Sequence, residues 1–494
     1  MAKNLLESYA KRIALAESIH KKSHNGAAMS AQKKVALAAM LENTSKFMNE
    51  AFETSAATQR SAMGDYKRFC LNITNLAVPN LILPEIMLVQ PMTSIAGYVT
   101  YVKYSAGIDK GGVKVNDLFN SPYHMGKMDE DRARYTSDTI SESHTVVDGD
   151  IVDGTSKSFT LDWAPVLGIK QLMIGDTHYK VVAAGSEVVD ESVSFDTNTG
   201  KVSFNKDDTK FIAGAVVKVL YIYDNVIIPQ QETPTSLPTL KASIASVDLH
   251  AHARRIAIYY SQIAAFQASN DYGFDMGQQL AAQAQGELQY EIDTEGVKLL
   301  SDGAEIDTTL NFERYKDDKA ISRSQYYEAF SEIIARAKAV IYKRTQKFAP
   351  NYMVCGADVL TILPFVKGWT PAPAAVVNGP YFAGTVDSLK VFVSPALADG
   401  EFFFGVNGND LQTSAAVYAP YMAVVPTQLL GLPDGTMTQG FSTMYDMKLL
   451  STYNKVGDEV VDTKEGEVGQ YSYLLVKGNL LDTNANNLNV KVNS

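Results

Sequence analysis

The stretch MGQQLAAQAQGELQYEI, residues 276–292, decides the fold of this chain because its apolar side chains return at every fourth position. The side chains at these positions belong to Met276, Leu280, Ala284, Leu288 and Ile292, with Gln and Glu between them. This spacing is typical of an amphipathic helix, and it predicts one long helix from about Asp275 to Leu300.

Helical and strand patterns alternate irregularly on the carboxyl side of this helix. A second helical pattern runs from Ser324 to Phe348 and ends before Pro350. Strand patterns follow at Tyr352–Cys355, Leu389–Val393, Glu401–Val406 and Ala416–Val425. The order is not a repeated βαβ alternation, so the sequence predicts an α+β fold.

The first fifty residues differ in charge from the rest of the chain. They contain eight basic and four acidic residues, whereas the whole chain has a net charge of −11. Amphipathic patterns predict helices at 4–20 and 31–52, separated by a break at His24-Asn25-Gly26. Charges are spread along this segment, which is not the pattern of a secretory signal. Synthesis and folding in the cytoplasm are therefore expected.

The segment 76–104 has a different composition, with prolines among apolar residues. Pro79, Pro84 and Pro91 interrupt its apolar stretch, which predicts an extended, edge-like arm and excludes a membrane span. The alternating run from Gly97 to Tyr104 predicts a strand. A loop rich in Gly and Asp follows, to about Ser137.

Residues 138–228 read as a separate block of short strands. This block contains fourteen acidic residues and seven lysines. The sequence Asp196-Thr-Asn-Thr-Gly200 predicts a hairpin turn. Strand patterns are found at Ser158–Leu161, Lys180–Val182, Val193–Phe195, Lys201–Phe204 and Val216–Tyr223. A Pro-rich stretch from Pro229 to Pro238 closes the block, which predicts a small all-β domain.

No motif for catalysis, cofactor binding or metal binding is present in the sequence. His250 and His252 would share one face of a strand, but Arg254 and Arg255 next to them disfavour a metal ion, and exposed histidines are expected. Cys355 lies in an apolar strand and is expected to be a small buried hydrophobe. Asp129-Glu130-Asp131 lacks the pattern of a calcium loop.

The composition argues against several classes of protein. A pI near 5.2 argues against a dedicated binder of duplex DNA or of membrane surfaces. The two cysteines, Cys70 and Cys355, are too few to stabilise a chain of 494 residues by disulfide bonds, which fits a reducing compartment. The chain is expected to be neither an enzyme nor a membrane protein.

At three places the sequence resembles the major capsid proteins of contractile-tailed bacteriophages, which have the Hong Kong 97-type shell fold. The first place is Val78-Pro79-Asn80-Leu81-Ile82 with Val89-Gln90-Pro91-Met92-Thr93-Ser94. The second is Arg254 to Ile292, which is similar to the run into the family's spine helix. The third is Val417-Tyr418-Ala419-Pro420-Tyr421-Met422-Ala423 with Gln439 to Tyr445.

The resemblance implies a division of the chain into the parts of that shell fold. These parts are an amino-terminal helical arm (1–75), an extended arm and elongated loop (76–137), the inserted all-β domain (138–228), a peripheral domain with the spine helix (229–315), an axial domain (316–428), and a return to the peripheral domain with a tail (429–494). Leu280, Leu288 and Ile292 are expected to face the peripheral sheet. Structural or interface roles are implied for Pro79, Pro84, Pro91, Tyr418, Pro420 and Tyr421.

The same resemblance implies the partners and the location. The expected partners are further copies of the chain, arranged as hexamers and pentamers, together with scaffold, portal and accessory or decoration proteins. The expected location is the virion capsid, after assembly in the host bacterial cytoplasm. Many relatives lose an amino-terminal propeptide after a glutamate; Glu50 and Glu53 are the candidates here, and a shell that matures without this cut is favoured.

Packaged DNA is expected to be met only non-specifically, by lumenal lysines. The candidates are Lys21, Lys22, Lys33 and Lys34, although a solvated surface is the simpler interpretation. Two alternatives to the phage shell stay open. One is an encapsulin-like cellular nanocompartment shell, and the other is a glycan- or host-binding β module on a structural scaffold.

Overall fold

The structure is a computed structural model in which the backbone of most of the chain is described. The described residues are 2–23, 28–53, 81–108, 115, 138–152, 156–182, 188–189, 191–224, 239–271, 273, 276–315, 321–345, 347–373, 379–408, 410–427, 430–456, 459–462 and 469–481. The chain forms two compact units. Unit 1 combines Met1–Tyr101 with Ala245–Ser494, and unit 2 is Val102–Ile244.

The described α-helices lie in unit 1. They are α1 (Ala2–Ser8), α2 (Ala10–Ser23), α3 (Ala31–Glu53), α4 (Leu83–Ile86), α5 (Gln262–Asp271), α6 (Met276–Asp302), α7 (Arg323–Glu328), α8 (Phe330–Thr345) and α9 (Ala357–Leu360). Short 3-10 turns occur at Asp148–Asp150, Thr308–Leu310 and Leu363–Phe365.

The strands are numbered along the whole chain. They are β1 (Leu88–Val89), β2 (Ala96–Ala106), β3 (Thr139–Thr145), β4 (Ile151–Val152), β5 (Ser156–Thr160), β6 (Val166–Ile174), β7 (Thr177–His178), β8 (Lys180–Val182), β9 (Ser192–Phe195), β10 (Lys201–Phe204), β11 (Val216–Tyr223), β12 (Leu240–His250), β13 (His252–Ser261), β14 (Glu305–Ile306), β15 (Phe312–Glu313), β16 (Tyr352–Cys355), β17 (Trp369–Pro371), β18 (Tyr381–Val386), β19 (Leu389–Val393), β20 (Glu401–Gly405), β21 (Ala416–Pro426), β22 (Leu430–Gly431), β23 (Thr436–Leu449), β24 (Thr452–Val456), β25 (Glu459–Asp462), β26 (Tyr471–Ser472) and β27 (Leu475–Leu481). Strands and helices together confirm the predicted α+β class.

The long helix predicted from the four-residue spacing is confirmed as α6. Two other predicted helices are each divided into two helices in the structure. The first pattern forms two helices, α1 and α2, which meet at Tyr9, and the hydroxyl of Tyr9 donates to Glu42 Oε2 on α3 at 2.9 Å. The pattern at 324–348 likewise divides into α7 and α8. Helix α8 ends at Thr345, whose hydroxyl donates to the carbonyl of Ile341 and accepts from the N–H of Phe348.

Unit 1 contains one sheet against which α6 packs. Its strand order is β1-β21-β23-β13, with β22 added to β23. Strands β13 and β23 pair antiparallel over ten residues, from His252 opposite Tyr445 to Ser261 opposite Thr436. The side chains of Ile258, Leu288 and Phe441 form one buried cluster between this sheet and α6. The helix is therefore held by the burial of its apolar stripe.

A second, eight-stranded sheet forms the larger core of unit 1. Its order is β14-β27-β20-β16-β19-β18-β17, with β15 added to β27. The central strand β16 pairs parallel with β19 and antiparallel with β20, whose residues Phe402, Phe403 and Phe404 are fully buried. The prediction that Glu401–Phe404 is a core strand is confirmed.

One strand of this sheet comes from beyond the expected domain boundary at residue 428. Strand β27 comes from the carboxyl-terminal region, yet it pairs with β20 along Glu401–Gly405. Its residues Leu475 and Val476 are fully buried. Residues 429–494 therefore do not return to the first sheet alone, because the apolar strand β27 completes the second.

The segment 81–92 is packed more deeply than the predicted extended arm. Pro84 occupies the first turn of α4, where its missing N–H is not needed, and it is buried. Strand β1 does lie at a sheet edge, pairing parallel with Val417 and Tyr418 of β21. The edge prediction holds for β1 only, since α4 belongs to the core.

Unit 2 contains two sheets that share one hydrophobic core. Their orders are β4-β5-β10-β9-β8 and β3-β11-β6-β7. Phe159 and Phe204 from the first sheet lie in one buried cluster with Leu172 and Tyr221 from the second. The predicted block 138–228 lies within this unit, and the strands predicted at Lys180–Val182, Lys201–Phe204 and Val216–Tyr223 are confirmed.

The predicted hairpin turn between β9 and β10 is also confirmed. The carboxylate of Asp196 accepts hydrogen bonds from the N–H of Asn198 at 3.0 Å and the hydroxyl of Thr199 at 2.7 Å. Gly200 closes the turn with a φ of 70°, a conformation that favours glycine. These contacts hold the two strands in register.

Candidate functional site

The spine helix α6 places its predicted residues in two different cores. Leu288, 2% exposed, lies against the sheet with Ile258 and Phe441, and half-buried Leu280 packs on the same cluster. Ile292, 3% exposed, belongs to the main core of unit 1. Helix α6 therefore joins the sheet of β13 and β23 to the rest of the unit.

A polar contact ties the same helix to the same two strands. The guanidinium of Arg254 donates to Glu295 Oε1 at 2.6 Å, and the hydroxyl of Tyr445 donates to Glu295 Oε2 at 2.6 Å. Burial raises the pKa of Tyr445 above its ordinary value, and the hydrogen bond to Glu295 adds to the shift. The phenol therefore stays protonated and keeps donating at neutral pH.

The aromatic and proline candidates of β21 contact neighbouring elements of unit 1. Tyr418 is buried with its ring centroid 6.0 Å from that of Tyr445, and burial raises its pKa. Pro420 lies where the register with β23 shifts, and its carbonyl accepts from the N–H of Met92. The carbonyl of Tyr421 accepts from the side-chain amide of Asn43 at 2.9 Å.

Two of the three arm prolines lie within the described residues. Pro79 lies outside the described residues. Pro84 is buried in α4, and Pro91 is half-buried beside Met92. The two described prolines of the arm are therefore not exposed to solvent.

The four candidate lysines of the arm divide into different environments. Lys21 is exposed, with its ammonium 3.7 Å from Glu17, and Lys34 lies 3.0 Å from the other oxygen of the same carboxylate. The side chain of Lys22 lies outside the described residues. Lys21 and Lys34 therefore belong to a solvated face that carries its own counter-charge.

The prediction that Lys33 reaches the lumen is wrong, because its side chain is 1% exposed. Its ammonium donates to the carbonyl of Leu81 at 3.2 Å and lies 4.0 Å from Glu85 Oε1. Burial lowers the pKa of Lys33, while the carboxylates of Glu85 and Asp293 oppose this shift. A signal for this placement exists in the sequence, since Lys33 shares a helix face with Leu37 and Leu41.

Lys33 is part of a charged cluster that sequence reasoning missed, here called the Glu85 hub. The hub consists of His20, Lys33, Glu85, Asp293 and Lys390. His20 Nε2 lies 3.8 Å from Glu85 Oε1, and Lys390 Nζ lies 2.9 Å from Glu85 Oε2. These side chains come from α2, α3, α4, α6 and β19, so the hub joins the amino-terminal arm to the rest of unit 1.

Asp293 supports the hub from the spine helix. It is 3% exposed, and its carboxylate accepts from the N–H groups of Ile82 and Leu83 at the start of α4. Burial raises the pKa of Asp293 to about 7, although these hydrogen bonds and the charge of Lys33 act against the shift. The proton occupancy of this group therefore changes near neutral pH.

A cavity of about 570 Å³ adjoins the hub. Its walls include His20, Lys33, Glu85 and Lys390 on one side and strand residues such as Thr370 and Thr385 on the other. The arm supplies part of the wall, so the cavity exists in this form only while the arm is docked. Water and protons can reach the hub through this space.

No catalytic arrangement emerges from the other candidates. His250 and His252 are exposed, with ring centroids 5.1 Å apart. Cys355 is buried, and burial raises the pKa of its thiol to about 12, which makes it a poor nucleophile. Within the described ranges, no three His, Cys, Asp or Glu side chains could hold a metal ion. Asp129–Asp131 lies outside those ranges.

Among the helices of the described ranges, none is both long and apolar enough to cross a bilayer.

Comparison with protein families gives one match over most of the chain. The family described as major capsid protein Gp23 matches residues 63–475, which include α4 to α9, both sheets of unit 2 and both large sheets of unit 1 apart from strand β27, which begins at Leu475. Among curated proteins, none matches the chain.

Similar solved structures include phage capsids and an encapsulin. A chain of Mycobacterium phage Che8 is 15% identical, with a TM-score of 0.32, over 51% of this chain and 81% of that one. The capsid of Myoviridae phage XM1 is 9% identical, with a TM-score of 0.32, over 52% and 81%. The holo-SrpI encapsulin complex from Synechococcus elongatus PCC 7942 is 12% identical, with a TM-score of 0.29, over 49% and 78%.

Proposed function

Because the chain belongs to the Gp23 major capsid protein family, we propose that many copies of it close an icosahedral shell around the double-stranded DNA genome of a tailed bacteriophage. Its membership makes it a structural protein that forms the shell of a phage capsid. The observation that carries the proposal is the extent of the family match, residues 63–475, which spans most of the chain.

An exposed apolar surface on unit 1 supports association between copies. Tyr259 of β13 is 67% exposed, and Ile263 and Phe266 of α5 are 72% and 68% exposed. Leu430 of β22 is also exposed and lies across Thr438 from Tyr259, on one face of the sheet. Several large apolar side chains exposed together are typical of a surface that another protein covers.

The partners follow from the resemblance of the sequence to the capsid family. Copies of the chain form hexamers and pentamers, and scaffold, portal and decoration proteins contact them during or after assembly in the bacterial cytoplasm. The protein carries out no catalytic reaction in this role, since a shell depends on repeated, complementary interfaces.

Three arm lysines remain candidates for the shell lumen. They are Lys21, Lys22 and Lys34, and they meet phosphates of packaged DNA only through salt-sensitive, sequence-independent contacts. Replacing all three by Gln leaves the shell intact and lowers the salt dependence of the stability of full particles. Placement of these lysines on the outer surface of a particle would exclude this role.

The experiment is expression of the full chain, alone and with the scaffold protein of its phage, followed by electron microscopy. Closed icosahedral particles are expected. The variant Phe266→Asp places a charge in the exposed apolar surface and is expected to stop assembly without changing the thermal unfolding of the subunit. A monomer under every assembly condition, or a particle that encloses an enzyme cargo instead of DNA, contradicts the proposal.

A further inference from the structure

Strand β13 forms one outer edge of the sheet against which α6 packs. It spans ten residues, His252–Ser261, and pairs with β23 along one side without a shift in register. Within the described part of the chain, no strand pairs with its other side. The opposite edge of the same sheet is β1, which has only two residues. Strand β13 is therefore a long sheet edge that can accept another strand.

The sequence of β13 lacks the features that usually protect such an edge. It reads HARRIAIYYS, without proline or lysine, and its regular pairing with β23 shows no bulge that would twist the strand away from a partner. Alternate residues, such as Ile256 and Ile258, pack on α6. The side chains on the other face, here called the outer face, are all exposed: Ala253, Arg255, Ala257, Tyr259 and Ser261.

The centre of β13 is complementary to its own reversed sequence. Residues 254–260 read Arg-Arg-Ile-Ala-Ile-Tyr-Tyr, with Ala257 in the middle. An antiparallel copy centred on Ala257 places each arginine opposite a tyrosine and each isoleucine opposite an isoleucine. A guanidinium attracts the face of a tyrosine ring, whereas like charges directly opposite each other repel. The order of side chains therefore suits a second copy of the same strand.

This register also satisfies the geometry of a two-fold axis perpendicular to the sheet. Such an axis keeps every residue on its own face, so two residues that lie opposite each other must be an even number of positions apart. Arg255 and Tyr259 are four positions apart, and both lie on the outer face. The rotation therefore continues the sheet from one copy into the next, with β13 of each copy at the centre.

We propose that β13 pairs antiparallel with β13 of a second copy across a two-fold axis, with Ala257 at the axis and Arg255 of each copy opposite Tyr259 of the other. The complement that this strand presents is its own sequence, which identifies the occupant as another copy. The exposed side chains of Ile263 and Phe266 follow directly after the strand and extend its apolar end. The inference rests on the proposed shell function for the supply of many copies, and it adds a backbone contact between two subunits.

Cysteine cross-linking of the full chain tests the register. The parent is Cys70→Ser, since Cys355 is buried and shielded from reagents. With a short bis-maleimide, Ala257→Cys is expected to form a cross-linked dimer, because opposite Cβ atoms in paired strands lie about 5 Å apart. The matched control is Ala253→Cys on the same face, whose two copies would lie about 27 Å apart. It should not link to itself, but it should link to Ser261→Cys when the two proteins are mixed.

A second pair of variants tests the complementarity of charge and ring. Tyr259→Arg brings two guanidinium groups opposite each other at both ends of the contact, so the rate of cross-linking through Ala257→Cys should fall about ten-fold or more. Adding Arg255→Tyr exchanges the two side chains and places an arginine opposite a tyrosine again, which should restore most of the rate. Both positions are exposed, and circular dichroism should show the same fold in every variant.

Electron microscopy of the same samples separates this contact from the shell function. Closed particles without the Ala257→Cys cross-link overturn the contact and leave the shell function standing. Cross-linked dimers without closed particles support the contact and contradict the shell, and a sample with neither overturns both. Self-linking of Ala253→Cys, or an unchanged rate in Tyr259→Arg, also overturns the proposed contact.

Discussion

Leu83 packs directly on the backbone of Gly296: its Cδ2 atom lies 2.2 Å from the position that a Cβ atom on Gly296 would occupy. Gly296 lies within α6 and Leu83 within α4, and Leu83 is fully buried. The absence of a side chain at Gly296 lets α4 approach the spine helix, which brings the N–H groups of Ile82 and Leu83 to Asp293.

The variant Gly296→Ala is expected to lower the free energy of unfolding of unit 1. Alanine favours a helix over glycine by about 1 kcal/mol, but the added methyl group overlaps Leu83, and such overpacking costs about 1–3 kcal/mol. The chain has two tryptophans, Trp163 in unit 2 and Trp369 in unit 1. In a Trp163→Phe background, denaturation followed by Trp369 fluorescence therefore reports on unit 1.

The double variant Leu83→Ala with Gly296→Ala is the control. Truncation of Leu83 removes the overlap, so the double variant should be more stable than the sum of the two single effects predicts. Additive effects, or a Gly296→Ala protein as stable as the wild type, would show that α4 and α6 do not meet at this glycine.

Leu288→Ala is expected to cost about 2–5 kcal/mol of unfolding free energy, since the side chain is fully enclosed between α6 and its sheet. The matched control is Leu280→Ala on the same face of the same helix, where the side chain is half-buried and the cost should be smaller. Trp369 fluorescence in urea measures both. Equal costs for the two variants would mean that the helix is not buried toward its carboxyl half.

The spine helix was predictable because the residues that specify it lie close together in the sequence. Apolar residues repeat every fourth position from Met276 to Ile292, and no turn signal interrupts them. The short strands of residues 138–228 were predictable for a similar reason, since β-branched runs alternate with turn sequences such as Asp196 to Gly200. The family resemblance rested on three stretches whose order in the chain matched the capsid family.

The Glu85 hub was not predictable in this way. It joins Lys33 to Asp293 and Lys390, which both lie more than two hundred residues further along the chain than Lys33. No local sequence pattern indicates a contact over such a distance. Lysine in a basic segment usually marks a solvated surface, so charge counting placed Lys33 with Lys34. The paired strands β13 and β23 were missed because their side chains are largely exposed or half-buried and lack the apolar alternation of a strand.

Glu305→Gln is expected to destabilise unit 1 at neutral pH. Burial acts to raise the pKa of Glu305, but hydrogen bonds from Lys455 and Tyr453 and the charge of Arg344 outweigh burial and lower it. The Arg344 guanidinium lies 2.9 Å from Glu305 Oε2, and both side chains are nearly buried. Removal of the carboxylate leaves the nearly buried guanidinium of Arg344 without its ion-pair partner, which costs on the order of 3 kcal/mol.

The pH dependence gives this prediction a second readout. Because the folded-state pKa is lowered, the stabilisation is present above the ordinary value of 4.5 and is lost as the pH falls through the lowered value. Urea denaturation at pH 7 and in acid should therefore show the wild type approaching Glu305→Gln as the solution is acidified. The control is Glu332→Gln, an exposed partner of Arg336 in α8, whose effect should stay below about 0.5 kcal/mol. A similar loss in both variants would contradict the buried cluster.

The fragment Val102–Ile244, unit 2 by itself, is expected to unfold cooperatively. Its aromatic core is continuous, with ring centroids of Phe204 and Phe211 4.4 Å apart and both rings buried. Trp163 is the only tryptophan in this fragment, and its ring lies tilted against that of Tyr223 with the centroids 5.4 Å apart, so its fluorescence follows the core. Phe211→Ala should cost about 3–5 kcal/mol, whereas Leu167→Ala, at an exposed position, should have little effect. A fragment that shows strand-type circular dichroism but no cooperative transition in Trp163 fluorescence would mean that the core of unit 2 depends on the rest of the chain.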